Sequence, residues 1–300
     1  MLQEEFRELQ TTKTPSIYIN GKFFPENNAK IDCNDRGFLL SDGIFETIRI
    51  YTGFVFCLQE HWERLQKGAN YLKIPLPVHR DELEIIICNL LKYNNLSKSN
   101  ASIRITLSRG IGPRGLAPPA EINPTLILSA TPIFAALKTT ATVFITSIRR
   151  NELSPLSQIK SLSYLDNVLA HCEALENHAD EGLLLNTKGY VAEASTANVF
   201  IVTEDGILTP RLQDGALPGV TRNIVIAICK ANQLPVTETN ITIPQLIKAK
   251  EIFLTNSLIE IKPVIKVNHH LIAKGKIGKI TALIQASYQK KILSIRQRDD

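Results

Sequence analysis

Four segments of this 300-residue chain hold side chains whose types and spacing could do chemistry. Lys160 lies in Ser157-Gln158-Ile159-Lys160-Ser161-Leu162-Ser163, a polar, small-residue stretch ahead of a predicted helix. Desolvated, its amine would shed a proton readily and attack an aldehyde; in water it is an ordinary surface lysine, and the segment alone does not decide. Glu193 sits in Tyr190-Val191-Ala192-Glu193-Ala194-Ser195, a predicted strand of small and apolar residues. It either faces solvent or is a carboxylate held for a pyridinium nitrogen. Two predicted helix starts suit an anion. Leu217-Pro218-Gly219-Val220-Thr221-Arg222 puts a glycine and a hydroxyl where backbone N–H groups and the helix dipole favour negative charge. Ser257-Leu258-Ile259-Glu260 has capping-box spacing after Thr255-Asn256, and plain capping explains either start equally well. A fifth candidate fails on context. Gly110-Ile111-Gly112-Pro113-Arg114-Gly115 matches a dinucleotide-binding pattern, but Leu116-Ala117-Pro118-Pro119 follows, and two prolines forbid the helix that pattern needs.

The elements that must position these groups fall into two textures. Ser16 to Ile19 ahead of Asn20-Gly21 reads as a strand entering a hairpin turn, and Gly43 to Tyr51 as a second strand turning at Thr52-Gly53. Helices are predicted from His61 to Leu72 and Asp81 to Tyr93, with strands from Ala101 to Ser108 and Pro124 to Ala130. This gives a small α/β unit over 15–133, after a polar tail over 1–14, and Pro132 to Leu137 reads as connector. Beyond a connector at 134–140, a larger unit spans 141–293, with a polar C-terminal tail over 294–300. Its first helix, Leu165 to Asn177, spaces Leu165, Val168, Leu169, Cys172 and Leu175 along one face. Short strands follow, then helices near 220–231 and 244–249, a strand pair over 251–271, and a closing helix over 280–292.

Composition narrows the function classes. A 44% apolar chain has core material for one large or two medium domains. Thirty-four basic residues against 29 acidic ones, scattered rather than blocked, argue against a nucleic-acid or membrane partner. Five dispersed cysteines without CxxC spacing suit a reducing cytoplasm, and no metal site is expected, His269-His270 reading as a hairpin turn.

Together the segments resemble the class-IV family of pyridoxal 5′-phosphate (PLP) enzymes, which holds branched-chain aminotransferases, D-amino acid aminotransferases and 4-amino-4-deoxychorismate lyases. The resemblance runs from about Ser16 to Ile292. It rests on Asp35-Arg36-Gly37-Phe38 through Ser41-Asp42-Gly43-Ile44-Phe45-Glu46, on His61-Trp62-Glu63-Arg64-Leu65, and on Ile159-Lys160-Ser161-Leu162. Glu193-Ala194-Ser195-Thr196-Ala197-Asn198-Val199-Phe200, Leu217 to Arg222 and Thr255 to Val264 then follow in family order. It implies an α/β (α+β) fold of type IV, with a small N-terminal α/β domain, a larger C-terminal pseudobarrel and a homodimer. It further implies that Lys160 carries the cofactor and moves the substrate proton. Glu193 would pair with the ring nitrogen, and Arg64, Thr221, Ser257 and the N–H groups of Val220 and Leu258 would hold the phosphate.

Resemblance divides on the reaction. Arg114 looks like a carboxylate-binding arginine of D-amino acid aminotransferases, but Leu116 and Phe45 stand where those enzymes have histidine and tyrosine. Arg104 resembles the substrate-side arginine of branched-chain enzymes, while Ser102 and Leu165 replace two of their tyrosines and Tyr164 is one place out of register. Arg114-Gly115, Ala197 to Phe200 and Asn256 look most like the lyases, although Glu46 stands where a lyase branch has threonine. The sequence therefore favours a lyase releasing 4-aminobenzoate and pyruvate, with Phe45, Arg104, Arg114 and Asn256 facing a small-molecule substrate. The alternatives are an aminotransferase using 2-oxoglutarate with D- or branched-chain amino acids, and an inactive structural homologue.

Overall fold

In the computed structural model residues 14–134 and 138–299 are described. The expected N-terminal tail, save its last residue, and part of the expected connector lie outside them. Among the described residues fifteen strands form two sheets, one from each texture of the sequence.

The first sheet is antiparallel throughout. Its strands are β1 (Ser16–Ile19), β2 (Lys22–Pro25), β3 (Gly43–Tyr51), β4 (Phe54–Val55), β5 (Ala101–Ser108) and β6 (Thr125–Pro132), in the order β2-β1-β6-β5-β3-β4. Asn20 (φ 42°) and Gly21 (φ 88°) turn β1 into β2, as the Asn-Gly pair predicts. A short helix, α1 (Arg36–Leu40), precedes β3, and two longer ones, α2 (Leu58–Leu72) and α3 (Arg80–Tyr93), cover one face of the sheet. The period-two pattern of β3 sorts its residues: Ile44, Ile48 and Ile50 pack beneath those helices with Leu65, Ile87 and Leu90, while Phe45 and Thr47 face the other way. Pro132 ends β6 rather than interrupting the chain before it. As the last residue of a strand, its missing N–H costs the ladder little.

The second sheet has nine strands: β7 (Ala141–Arg150), β8 (Glu181–Asn186), β9 (Val191–Ala194), β10 (Asn198–Val202), β11 (Ile207–Thr209), β12 (Val236–Glu238), β13 (Glu251–Asn256), β14 (Glu260–Val267) and β15 (His270–Leu271). The order is β12-β11-β10-β13-β14-β7-β8-β9, with β15 on β14. The Ala194 N–H donates to Ala197 O, which returns the end of β9 to the start of β10 and curls the sheet into a half-barrel. One hydrophobic cluster fills its concave side through Val143, Val199 and Leu254; another lies between the sheet and helices α5 (Val220–Ala231) and α7 (Lys279–Asp299). Helix α4 (Leu165–Glu176) lies against β7 and β8, and α6 (Ile243–Ile247) is a single capped turn.

Two sequence expectations change. The closing helix continues to Asp299, through the stretch expected as a polar tail. Helix α4 buries Asn167, Ala170 and Ala174, leaving Leu165, Val168, Leu169 and Leu175 exposed. The reason is close approach to β8: a Cβ at Gly182 would lie 2.4 Å from Ala170 O, so only small side chains fit between helix and sheet. The large apolar stripe points outward.

Gly43 opens β3 under similar crowding, where a Cβ would lie 2.4 Å from Leu107 O and 2.8 Å from Leu162 Cδ1. Gly43→Ala is expected to lower unfolding free energy by about 1–3 kcal/mol in urea titrations, because the backbone of β5 must shift.

Candidate active site

Lys160 lies on an irregular segment docked against the start of β3. Phe45 N–H donates to Lys160 O at 2.9 Å and Leu162 N–H to Gly43 O at 2.9 Å, so the lysine is clamped on both sides. Its amine enters a cavity of about 270 Å³ between the two sheets, 4.3 Å from the centroid of the Phe45 ring and 5.6 Å from that of Tyr164. Burial pushes the Lys160 amine down to about 8; Arg64 and Arg104 act in the same direction, against Glu46 and Glu193. That value makes the neutral amine abundant near physiological pH, as a carbonyl-attacking lysine requires.

Glu193 on β9 faces the same cavity, buried, with one oxygen 3.3 Å from Arg150 Nε and the other accepting from Leu217 N–H at 2.8 Å. Burial outweighs these partners and holds its carboxyl above the usual carboxylate range. A cationic nitrogen at this point of the cavity would restore the charged form.

The opposite end is built for an anion. Helix α5 begins at Gly219, which supplies no side-chain cap, and Val220 and Thr221 line the cavity. A Cβ there would sit 2.0 Å from Asn198 Oδ1, so any larger residue would displace the Asn198 side chain. Arg64 reaches in from α2. It gives Nε and Nη2 to the two oxygens of Glu46, each at 2.7 Å, and Nη1 to Pro218 O at 3.1 Å. Although burial opposes the charge on Glu46, Arg64 and His61 hold its carboxyl well below the usual range.

Lys160, Glu193, Arg64, Val220, Thr221, Ser257, Leu258, Phe45, Arg104 and Asn256 all line this one cavity. Arg104, exposed on β5, lays its guanidinium over the Phe45 ring at 3.7 Å. Three groups sit otherwise than their sequence context suggests. Arg114 is exposed on the 110–124 loop and does not line the cavity, since that loop wraps the Arg36 guanidinium through the carbonyls of Gly115, Leu116 and Ala117. No helix starts at Ser257: residues 257–259 are the turn between β13 and β14, and Glu260 accepts from Tyr51 Oη at 2.8 Å instead of closing a capping box. The Asn256 side chain stabilises that turn, accepting from Leu258 and Ile259 N–H at 2.8 Å and donating to Thr196 O at 3.0 Å. The Leu258 N–H is therefore already engaged.

Sequence reasoning missed the supporting roles of Glu46, His61 and Arg150. The i,i+3 spacing of His61 and Arg64 on a helix was the available signal, because it aims both side chains at one buried partner.

Residues 43–267 match the model of the amino-transferase class IV family. The chain belongs to this family. It is 37% identical over 275 residues, 91% of this chain and 95% of the relative, to a Methanocaldococcus jannaschii protein provisionally named a branched-chain-amino-acid aminotransferase. It is 34% identical to the aminodeoxychorismate lyase of Bacillus subtilis, covering 92% of this chain and 94% of that one. A T.th. branched-chain amino acid aminotransferase, solved in complex with N-(5′-phosphopyridoxyl)-L-glutamate, superposes with a TM-score of 0.85 at 30% identity, covering 93% and 94% of the two chains. This class IV chain is thus a PLP-dependent enzyme of the aminotransferase and lyase family, with the fold type IV architecture. The cavity fits the cofactor: an amine of depressed basicity for its aldehyde, a carboxylate whose burial leaves room for a further cationic partner, and a glycine-opened helix start with Arg64 for its phosphate.

If Lys160 is the attacking amine, imine formation with added PLP, trapped by borohydride and read by mass spectrometry, should rise with pH through about 8 and level off above it. Lys160→Ala should abolish the adduct.

Proposed function

We propose that this enzyme is an aminotransferase whose amino-acid substrate is held by Arg104 beside the Phe45 ring. The observation that carries the reading is the line Arg104, Phe45, Lys160, in which a guanidinium and the amine both lie against one aromatic ring, 3.7 Å and 4.3 Å from its centroid. Bound PLP supplies an electron sink that acidifies the proton on the substrate's amine-bearing carbon. Lys160, once released, is the base that takes this proton, and the clamp on β3 holds its backbone while the side chain swings. Glu193 offers a carboxylate to a cationic ring nitrogen. Arg64, the α5 N-terminus and Thr221 hold the phosphate, and Ser257 contributes its hydroxyl. Arg104 takes the substrate carboxylate in its planar fork. Phe45, Leu162 and Tyr164 make the neighbouring wall apolar, which suits an aliphatic side chain. Tyr164, whose hydroxyl burial pushes up to about 12, stays neutral there.

A 4-amino-4-deoxychorismate lyase is the second reading, favoured by the 34% identity to the Bacillus subtilis enzyme. The same proton removal by Lys160 would then expel the enolpyruvyl group as pyruvate. Its sequence grounds in Arg114 and Asn256 are weakened, because one lies outside the cavity and the other is engaged in the turn. We infer also a homodimer, supported by the outward apolar stripe of α4, and a reducing cytoplasm, supported by five unpaired cysteines. No described helix is long and apolar enough to cross a membrane.

Holoenzyme given 4-amino-4-deoxychorismate without a keto acid should release no pyruvate, and should convert to the pyridoxamine form with an aliphatic amino acid. Sustained pyruvate release would establish the lyase instead. Arg104→Ala should raise the KM for the amino acid by roughly 10- to 100-fold, the worth of a charged hydrogen bond, with a smaller change in kcat.

A further inference from the structure

We propose that His61 is a positioning residue for the cofactor phosphate: by donating a hydrogen bond to Ser257 when its ring is protonated, it makes that hydroxyl a phosphate donor, so phosphate binding takes up a proton. The inference rests on the phosphate reading of the cavity above. His61 does not touch the cavity. It is buried on α2, with Nδ1 2.7 Å from Glu46 Oε2 and Nε2 3.4 Å from Ser257 Oγ, and Ser257 and Arg64 both line the cavity.

The roles along this chain are constrained. Glu46 is ionised and can only accept, and it already receives two hydrogen bonds from Arg64. Nδ1 of His61 must therefore carry a proton and donate. What varies is the proton on Nε2. If the ring is neutral, the Nε2 lone pair attracts the Ser257 hydroxyl hydrogen, and the serine turns lone pairs toward the anion. If the ring is an imidazolium, Nε2–H donates to Oγ and frees the Ser257 hydrogen for a phosphate oxygen, which can only accept. One proton thus sets the sign of the Ser257 contact.

The charges facing His61 make it responsive. Burial pushes its basicity below the usual histidine value, Glu46 on β3 opposes that, and Arg64 on its own helix and Lys160 on the docked segment reinforce it. Ser257, on the β13–β14 turn, brings no charge. With no anion bound the balance favours the neutral ring, and a phosphate dianion shifts it toward the cation. Because occupancy raises the ring's basicity, phosphate affinity is highest at low pH and falls as pH rises through the value in the occupied site.

The probe is pyridoxamine 5′-phosphate, which carries the phosphate but no aldehyde and so forms no bond to Lys160. Binding is measured by calorimetry at several pH values in two buffers of different ionisation enthalpy, which counts protons taken up. The phosphate's own ionisation contributes equally in every variant and cancels in the difference. Wild-type protein is expected to take up more protons than His61→Asn or Ser257→Ala. Each variant should bind about tenfold more weakly, the worth of one lost hydrogen bond, and the double variant no more weakly than either single one. Equal proton uptake in wild type and Ser257→Ala, or additive losses in the double variant, would overturn the linkage while leaving the cofactor site standing. Failure of wild-type protein to bind the probe would instead overturn the phosphate reading beneath it. If His61→Asn does not fold, Ser257→Ala, altered on a half-buried turn, carries the comparison by itself.

Discussion

The buried Glu46 carboxylate is the constraint on which the site depends. It lies on β3 and accepts from Arg64 twice and from His61 once. A carboxylate and a guanidinium taken out of water together are tolerable only when their geometry is good and their remaining hydrogen bonds are met. Here both oxygens of Glu46 are used, and the third donor of Arg64 crosses to Pro218 O in the other half of the chain. The cluster therefore gives up freedom of movement rather than charge. Arg64 is aimed before any anion arrives, and less ordering remains to be done on binding.

Strand β3 distributes this constraint to the rest of the site. Its alternation puts Glu46 among the helices, and Phe45 and Thr47 toward the cavity. Its first residues also receive the Lys160 segment through backbone hydrogen bonds. The Arg64 guanidinium and the Lys160 amine are thus referenced to one strand, and Ile44, Ile48 and Ile50 anchor that strand in the core. Arg104 joins from the adjacent β5, where it pairs with Thr47 in register. The C-terminal half supplies the complementary wall: Glu193 from the concave sheet, the α5 start and the β13–β14 turn.

Much of this was legible in the sequence because it is local. The hairpin at Asn20-Gly21, the span of β5, the limits of α5 and the glycine at its start follow from period, turn chemistry and capping. Lys160 and Glu193 were recognisable as candidates, but their altered basicities were not. Those arise from desolvation and from charges more than thirty residues away in sequence, and the amine's cation is opposed by Arg64 and Arg104, which only the fold brings near. Asn256 and Ser257 show the limit most clearly. Capping-box spacing suggested a helix start, but strand pairing of β13 with β14 forces a tight turn, and the side chain that looked free for substrate is used to close it. Helix α4 misled in the opposite way. Its apolar spacing is real, but the close approach at Gly182 puts Asn167, Ala170 and Ala174 on the buried side and leaves the large apolar residues outside.

The division between transferase and lyase chemistry lies outside the shared frame. Both proposed reactions would begin with removal of a proton by the Lys160 amine, and the groups that set its basicity cannot distinguish them. What differs is the fate of the electron pair. It returns as a C–H bond in one case and expels a leaving group in the other. That choice depends on the length and charge of whatever extends past Phe45 toward Arg104. Among the described residues a single guanidinium occupies that rim, stacked on an aromatic ring and without a carboxylate partner. One such group satisfies one carboxylate. Thr196, Leu258 and an Asn256 already engaged with Thr196 O line the same cavity and bring no second charge to it.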